Sequence, residues 1–395
     1  MKRLIDAREL TLLNFTSFLF QTTYFLLIPV LPIYLYRDLR ASEQEVGAIL
    51  SMAALTSALT RIPCSIRINR RNVLKVLALG LWLNVISIIG YGVSWNPYVF
   101  AFFRILYGVG LAINYTLLLT IASMIAESSE IEKSIISYTA AIALGFLIGP
   151  SLGVVLRELI ELRYLILATA GLGIVTVLPI ISLRKRLKME KHESAEPLME
   201  YRGFISFKSM AVHPIMIYFY YSFSAGAIWT YGPLKAKLEF GLADQFIILF
   251  FIIFYFTAFS GRIFLLKLKP SSSEDRKVIW FLMGSLISAA SGLLLIGLSR
   301  NLTLFGFGLF LAGIAHGLVF PLTASLVAFT LPHDIRVLGN AFLLTAFDIG
   351  SFISPFLISL MIGIMPLSHA FAMILLFPLM GLFNIKKLLR MYSRN

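Results

Sequence analysis

Runs of roughly twenty apolar residues, the length an α-helix needs to cross a bilayer, recur between short charged breaks from one end of this chain to the other. Twelve can be delimited, at about 11–36, 46–66, 73–93, 98–125, 134–156, 164–183, 213–233, 245–266, 277–298, 303–330, 338–362 and 367–385. They are continuously apolar, whereas strands of a membrane barrel alternate over about ten residues, so the spans read as helices that satisfy their own backbone groups. Of 395 residues, 58% are hydrophobic and 14% charged, against roughly 25% charged in a soluble domain. Too few polar residues remain to cover a core facing water. The expected fold class is all-α integral membrane, which excludes most soluble enzyme folds.

The net charge of +14 would suit nucleic acid if it gathered on one surface, but its distribution along the chain says otherwise. With the amino end in the cytoplasm, the breaks between spans alternate inside and outside. Of the 34 Lys and Arg residues, seven then fall outside (Arg37, Arg40, Arg157, Arg163, Lys235, Lys237 and Arg300) and two at least five residues inside a span (Arg61 and Arg104), leaving 25 at the inner side. This positive-inside bias places both termini in the cytoplasm of a multi-pass cell-membrane protein and accounts for the charge without nucleic acid. Lys2, Arg3 and Arg8 precede an apolar run of about twenty-five residues, too long for the core of a cleaved signal, so a retained first helix is expected. The single cysteine, Cys64, forbids an intrachain disulfide and leaves no cysteine-based metal cluster.

The longest break, about residues 184–212, opens with Arg184-Lys185-Arg186 and divides six spans from six. The halves repeat at fixed offsets. Pro32 and Pro233, Glu43-Gln44 and Asp244-Gln245, and Arg61-Ile62 and Arg262-Ile263 are each 201 apart, whereas Gly108 and Gly313, Gly145 and Gly350, and Pro150 and Pro355 are 205 apart. The polar stretch 269–276 is a natural place for the four inserted residues. The domain reading is a six-helix bundle over 1–183, a cytoplasmic linker over 184–212 and a second six-helix bundle over 213–395. Two pseudo-symmetric bundles facing each other across an axis normal to the membrane can rock about a central site.

Phe103-Arg104-Ile105-Leu106-Tyr107-Gly108-Val109-Gly110, on the fourth span, resembles the Arg-x-x-x-Gly-x-Gly signature of major facilitator transporters. On the fifth, Gly145-Phe146-Leu147-Ile148-Gly149-Pro150-Ser151-Leu152-Gly153 is similar to the family's G-x-x-x-G-P-x-x-G motif, which is associated with proton-coupled antiporters of drugs and metabolites. Glycines there let helix backbones approach, and proline removes one backbone bond. After the second span, Arg67, Arg70 and Arg71 match the family's basic loop, but Ile62 and Ile66 stand where the family has Gly and Asp. The resemblance implies the twelve-helix major facilitator fold and a cavity lined by spans one, four, seven and ten. It nominates Asn14, Gln21, Tyr24, Asn114, Tyr115, Tyr220, Tyr221, Trp229 and His316.

Ionisable groups deep in a membrane are costly and so become functional candidates. Of the 20 acidic residues only Asp348 lies near the middle of a span, and of the five histidines only His316 does. One reading makes Asp348, with His316, the carrier of a coupling proton; the other makes Asp348 a cap near Gly350 and His316 a satisfied core group. Arg104 either meets an anionic solute or locks the bundle through backbone carbonyls, with the structural role preferred. No motif for a nucleotide, a metal or a catalytic nucleophile stands in a suitable context. The expectation is a secondary transporter, not an enzyme, with no cofactor, acting as a monomer in the lipid bilayer on a small-molecule substrate and protons, by efflux. A facilitator or uptake carrier of the same fold and a non-transporting receptor or scaffold are the alternatives.

Overall fold

A computed structural model of the protein describes residues 7–68, 72–125, 131–186, 209–268, 276–331 and 336–392, and all regular structure among them is helical. The first membrane passage is split into α1 (Ala7–Leu27) and α2 (Leu31–Arg37). Pro29 and Pro32 lack the amide hydrogens that a continuous helix would use there. Passages two to seven are single helices: α3 (Glu43–Arg67), α4 (Val73–Val93), α5 (Pro97–Ile125), α6 (Ile131–Leu159), α7 (Leu162–Arg186) and α8 (Ser209–Phe240). So are α9 (Asp244–Leu268), α10 (Arg276–Leu298), α11 (Leu302–Thr330) and α12 (Arg336–Ile362). The last passage is again split, into α13 (Leu367–Met373) and α14 (Leu376–Tyr392). Pro378 cannot donate to the Ile374 carbonyl, which is where that helix breaks.

Among the described residues, eleven of the twelve passages are long and apolar enough to cross a membrane by length and composition alone. The exception is α8, the longest helix at 32 residues, whose apolar run is diluted by Tyr218, Tyr220, Tyr221, Ser222, Ser224 and Tyr231. It is buried almost without interruption from Tyr221 to Ala236, so its polar tips face protein, where they do not meet lipid. Helix ends near water are set by side chains. Ser42 and Glu45 form a reciprocal capping box at the start of α3, and Asn301 Oδ1 accepts from the Leu304 amide at the start of α11.

The repeat read from the sequence is a repeat of contacts. A Cβ on Gly108 of α5 would collide with Ala53 and Thr56 of α3, and one on Gly313 of α11 with Phe254 and Thr257 of α9, the residues 201 further on. Gly145 of α6 meets Phe18 and Gln21 of α1, as Gly350 of α12 meets Phe219 and Ser222 of α8. Gly149 abuts Thr22 O, and at the equivalent place Ser354 donates to Phe223 O at 2.7 Å. In each pair a missing side chain, or a short hydroxyl, lets two helices touch backbone to backbone. Between the two six-helix bundles the principal seams are α3 against α12 and α6 against α9. Arg70, Arg71 and linker residues 187–208 lie outside the described residues.

Candidate functional site

At the centre, where α1, α5, α8 and α12 converge, a small cavity of ≈ 70 Å³ is lined by Tyr24, Arg104, Tyr107, Trp229, Thr230, Asp348 and Ser351, among apolar neighbours. Pockets that hold organic solutes begin at roughly 300 Å³, so the cavity is collapsed to the scale of a few waters. Asp348 is the acid in its wall and is 6% exposed. On the far side its carboxylate crosses the seam between the bundles. Oδ2 accepts from Arg61 Nη2 at 2.6 Å, Arg61 Nε at 3.0 Å and Ser57 Oγ at 2.7 Å. Arg61, 2% exposed, also donates from Nη1 to Thr116 Oγ1 at 3.0 Å and from Nη2 to Ser57 Oγ at 3.0 Å. A buried charge survives in a membrane protein when it is paired and hydrogen-bonded in this way.

Asp348 and His316 are therefore not partners. The imidazole of His316, on α11, meets Tyr221 Oη at 2.8 Å through Nδ1 and packs among Phe146, Trp229 and Phe254. Arg61 is the partner that sequence reasoning missed. It was visible as an arginine inside a span, but nothing in the sequence says that α3 and α12 touch. A second such arginine is Arg262 of α9, assigned to the cytoplasmic side by charge distribution and found buried.

Of the nominated cavity residues, Tyr24 and Trp229 line the cavity and meet edge to face at 6.2 Å. Tyr115 packs on Tyr24 and donates from its hydroxyl to Gln21 Oε1 at 2.8 Å, joining α5 to α1. Tyr221 pairs with His316, and Asn14 lies half-buried two turns before Gln21. Two turn elsewhere. Asn114 donates to Asn84 Oδ1 at 2.6 Å and Asn84 to Tyr107 O at 2.8 Å, which fastens α5 to the peripheral α4. The Tyr220 Cβ lies over Gly381 of α14. Helical period explains both, since neighbours such as Asn114 and Tyr115, or Tyr220 and Tyr221, point about 100° apart. Arg104 lines the cavity and donates to Leu50 O at 3.2 Å. In the Gly-Pro motif, Gly145 and Gly149 face α1, Gly153 lies between Leu26 and Ile248, and Pro150 is inside α6. Arg67 is exposed at the end of α3.

At one rim of the bundles Asp244, at the start of α9, gathers three cations. Arg37 Nη1 approaches at 2.5 Å, Arg157 Nη2 at 3.0 Å and Lys237 Nζ at 3.1 Å. Arg37 and Arg157 belong to the first bundle, so this cluster also bridges the two. Tyr231 Oη donates to Glu43 O and Ser359 Oγ to Gln44 O nearby.

Comparison with known proteins bears on what such an arrangement does. The model of the Major Facilitator Superfamily matches residues 13–355. The chain belongs to this superfamily. Among curated relatives, Multidrug resistance protein 2 of Bacillus subtilis (strain 168) is 25% identical over 225 residues, 56% of each chain. The chain thus spans just over half the length of that relative. A bacterial homologue of the human lysosomal transporter Spinster, in an inward-facing and unoccupied conformation, superposes with a TM-score of 0.76 at 13% identity, covering 99% of this chain and 98% of that one. A point mutant of the nucleoside transporter NupG gives 0.71 at 14% identity over 96% and 99%. The human organic anion transporter MFSD10 (TETRAN) gives 0.67 at 16% over 96% and 99%. These likenesses show the fold. The family match makes the chain a multi-pass membrane protein and places it in a superfamily of transporters, not of enzymes.

Proposed function

We propose that the protein exports a small organic solute from the cytoplasm across the cell membrane by alternating access, in exchange for protons carried on Asp348. The observation that carries the reading is the position of that carboxylate. It faces the cavity on one side and holds Arg61 across the seam between the bundles on the other. Ionised, Asp348 holds α12 to α3. A proton arriving from the cavity binds Oδ2, weakens the ion pair with Arg61 and leaves the guanidinium on Ser57 and Thr116. Arg61 is thereby retained in its own bundle while α12 is free to part from α3. Deprotonation restores the bond and the contact. Binding of a proton thus changes the equilibrium between two arrangements because it has different energies in each, as any coupled carrier requires. The Gly149-Pro150 motif and the likeness to a multidrug resistance protein support efflux. The charge distribution supports cytoplasmic termini, and the bundles at 1–183 and 213–395 move as units joined by 184–212, within a single subunit.

Proteoliposomes test this. Solutes drawn from amphipathic cations, anions and sugars are added, and proton movement is followed with an internal pH dye for the wild type and Asp348→Asn. A solute-dependent proton signal in the wild type, absent in the variant, is the expected result. Solute that crosses equally in both proteins with no proton signal would make the protein a facilitator and Asp348 a structural residue.

A further inference from the structure

The arginine of the Arg61 network has a counterpart in the other seam between the bundles, but its partners do not. At the offset of 201, Ser57 and Arg61 of α3 correspond to Ala258 and Arg262 of α9; at 205, Thr116 corresponds to Pro321 and Asp348 to Ala143 of α6. All three groups that satisfy Arg61 are thus apolar around Arg262. The consequence is visible. Arg262 is 8% exposed, and its Nε is buried with no hydrogen-bond partner. Among the described residues no carboxylate pairs with it. Its guanidinium lies instead against aromatic faces, 4.3 Å from the centre of the Phe146 ring and 5.9 Å from that of Phe320.

A buried guanidinium without a counter-ion is costly, and stacking on aromatic rings offsets only part of that cost. Two more polar atoms close by are also buried and unpartnered: His316 Nε2 and Trp229 Nε1. The imidazole is 5.6 Å from the Phe146 ring and 5.4 Å from Trp229, and Trp229 reaches the central cavity. In the tautomer where Tyr221 donates to Nδ1, Nε2 carries the hydrogen and is a second donor. Donors without acceptors, set among rings of which Trp229 lines the cavity, describe a site for a group that is acidic at one end and flat and apolar at the other. Since α6 and α9 belong to opposite bundles and touch, a movement that parted them, as alternating access requires, would uncover Arg262.

We infer that Arg262 receives the carboxylate of an aromatic organic acid, with His316 as a second donor and Phe146, Phe320 and Trp229 against the ring. This deepens the proposed transport function and rests on it, though not on the role given to Asp348. The site would make the carried solute an anion, and the buried positive charge would be retained for binding at a cost in stability.

The full chain in lipid nanodiscs decides the matter, with 2-naphthoate and the uncharged 2-naphthylmethanol as probes and thermal unfolding as the readout. In the wild type, 2-naphthoate should bind at least tenfold more tightly than the alcohol. Arg262→Met should abolish that preference while melting, without ligand, at or above the wild-type temperature, and Arg262→Lys should keep part of it. Equal or absent responses to acid and alcohol in the wild type would overturn the inference. So would an Arg262→Met that retains the preference, or one that melts below the wild type or fails to fold, which would make the residue structural. The acid preference is read at equilibrium without a proton gradient, so failure of the proton-coupling reading would leave this result unchanged and distinguishable.

Discussion

Two ion clusters join the same pair of bundles, and they differ in the way that separates a fixed clamp from a switch. At the rim, Asp244 holds Arg37, Arg157 and Lys237, and Arg37 and Lys237 are 37% and 27% exposed at their side chains. Asp244 itself is 2% exposed at its side chain, but its three cations are in reach of water and salt and give a contact with spare partners. In the interior, Asp348 and Arg61 are 9% and 2% exposed at theirs, and each is the other's only ionic partner among the described residues. There a single proton removes the ion pair, and no second cation pairs with Asp348 among the described residues. In the proposed mechanism the rim closes one end of the carrier and the interior pair ties closure to protonation.

This contrast can be broken or sharpened by substitution. Arg61→Met strands a buried carboxylate and should cost about 3–5 kcal/mol, whereas Arg61→Met with Asp348→Leu removes both charges and should recover most of the loss. Chemical or thermal unfolding of the reconstituted protein measures it. A double variant no more stable than the single one would mean that the pair is not the source of the cost. Thr116→Val removes one hydrogen bond to the guanidinium, worth about 1.5–3 kcal/mol. It should also free Arg61 to follow α12, which would be read as weaker proton coupling at unchanged solute affinity.

Asp244→Asn should cost less, on the order of 1 kcal/mol, because the cations it leaves behind, 20% to 37% exposed at their side chains, remain partly hydrated. It should also raise the outward-open population as read by alkylation of a cysteine placed at Tyr231. The smallest effect is that of salt. Raising ionic strength from 0.15 to 1 M shortens the screening length from about 8 to 3 Å. That should weaken the rim cluster in the wild type and leave the interior pair unchanged. Equal sensitivity of both would show that the interior pair is hydrated and cannot act as described.

The unequal legibility of these features follows from their physics. The twelve passages are local, set by runs of apolar residues and by Pro29, Pro32 and Pro378, and they can be read residue by residue. The duplication was legible because it repeats at fixed offsets, and the close packing of Gly108, Gly145 and Gly149 follows from the absence of side chains. Asp348 was legible as an acid in an apolar run. Its partner was not, since Arg61 and Asp348 are joined across 287 positions by a helix contact that no local pattern encodes. Asn114 and Tyr220 were misdirected for a related reason. Membership of a lining helix does not say which face of it lines, and the near-complete burial of α5 beyond Leu106 and of α8 beyond Tyr220 removes the polar stripe that would have told them apart. Arg262 was hidden by its distance from the end of a span, where a long side chain can be supposed to reach water.

The central claim, that the charge state of Asp348 governs the contact between α3 and α12, is tested most directly by distance. With Cys64 replaced by serine, spin labels at Lys75 and Lys387, both exposed and in opposite bundles, report separation at the inner end by pulsed electron resonance. The account predicts a distance distribution that shifts toward longer separations as pH falls in the wild type. In Asp348→Asn it predicts a distribution fixed near the longer separation at every pH. Identical pH-dependent shifts in both proteins would contradict it.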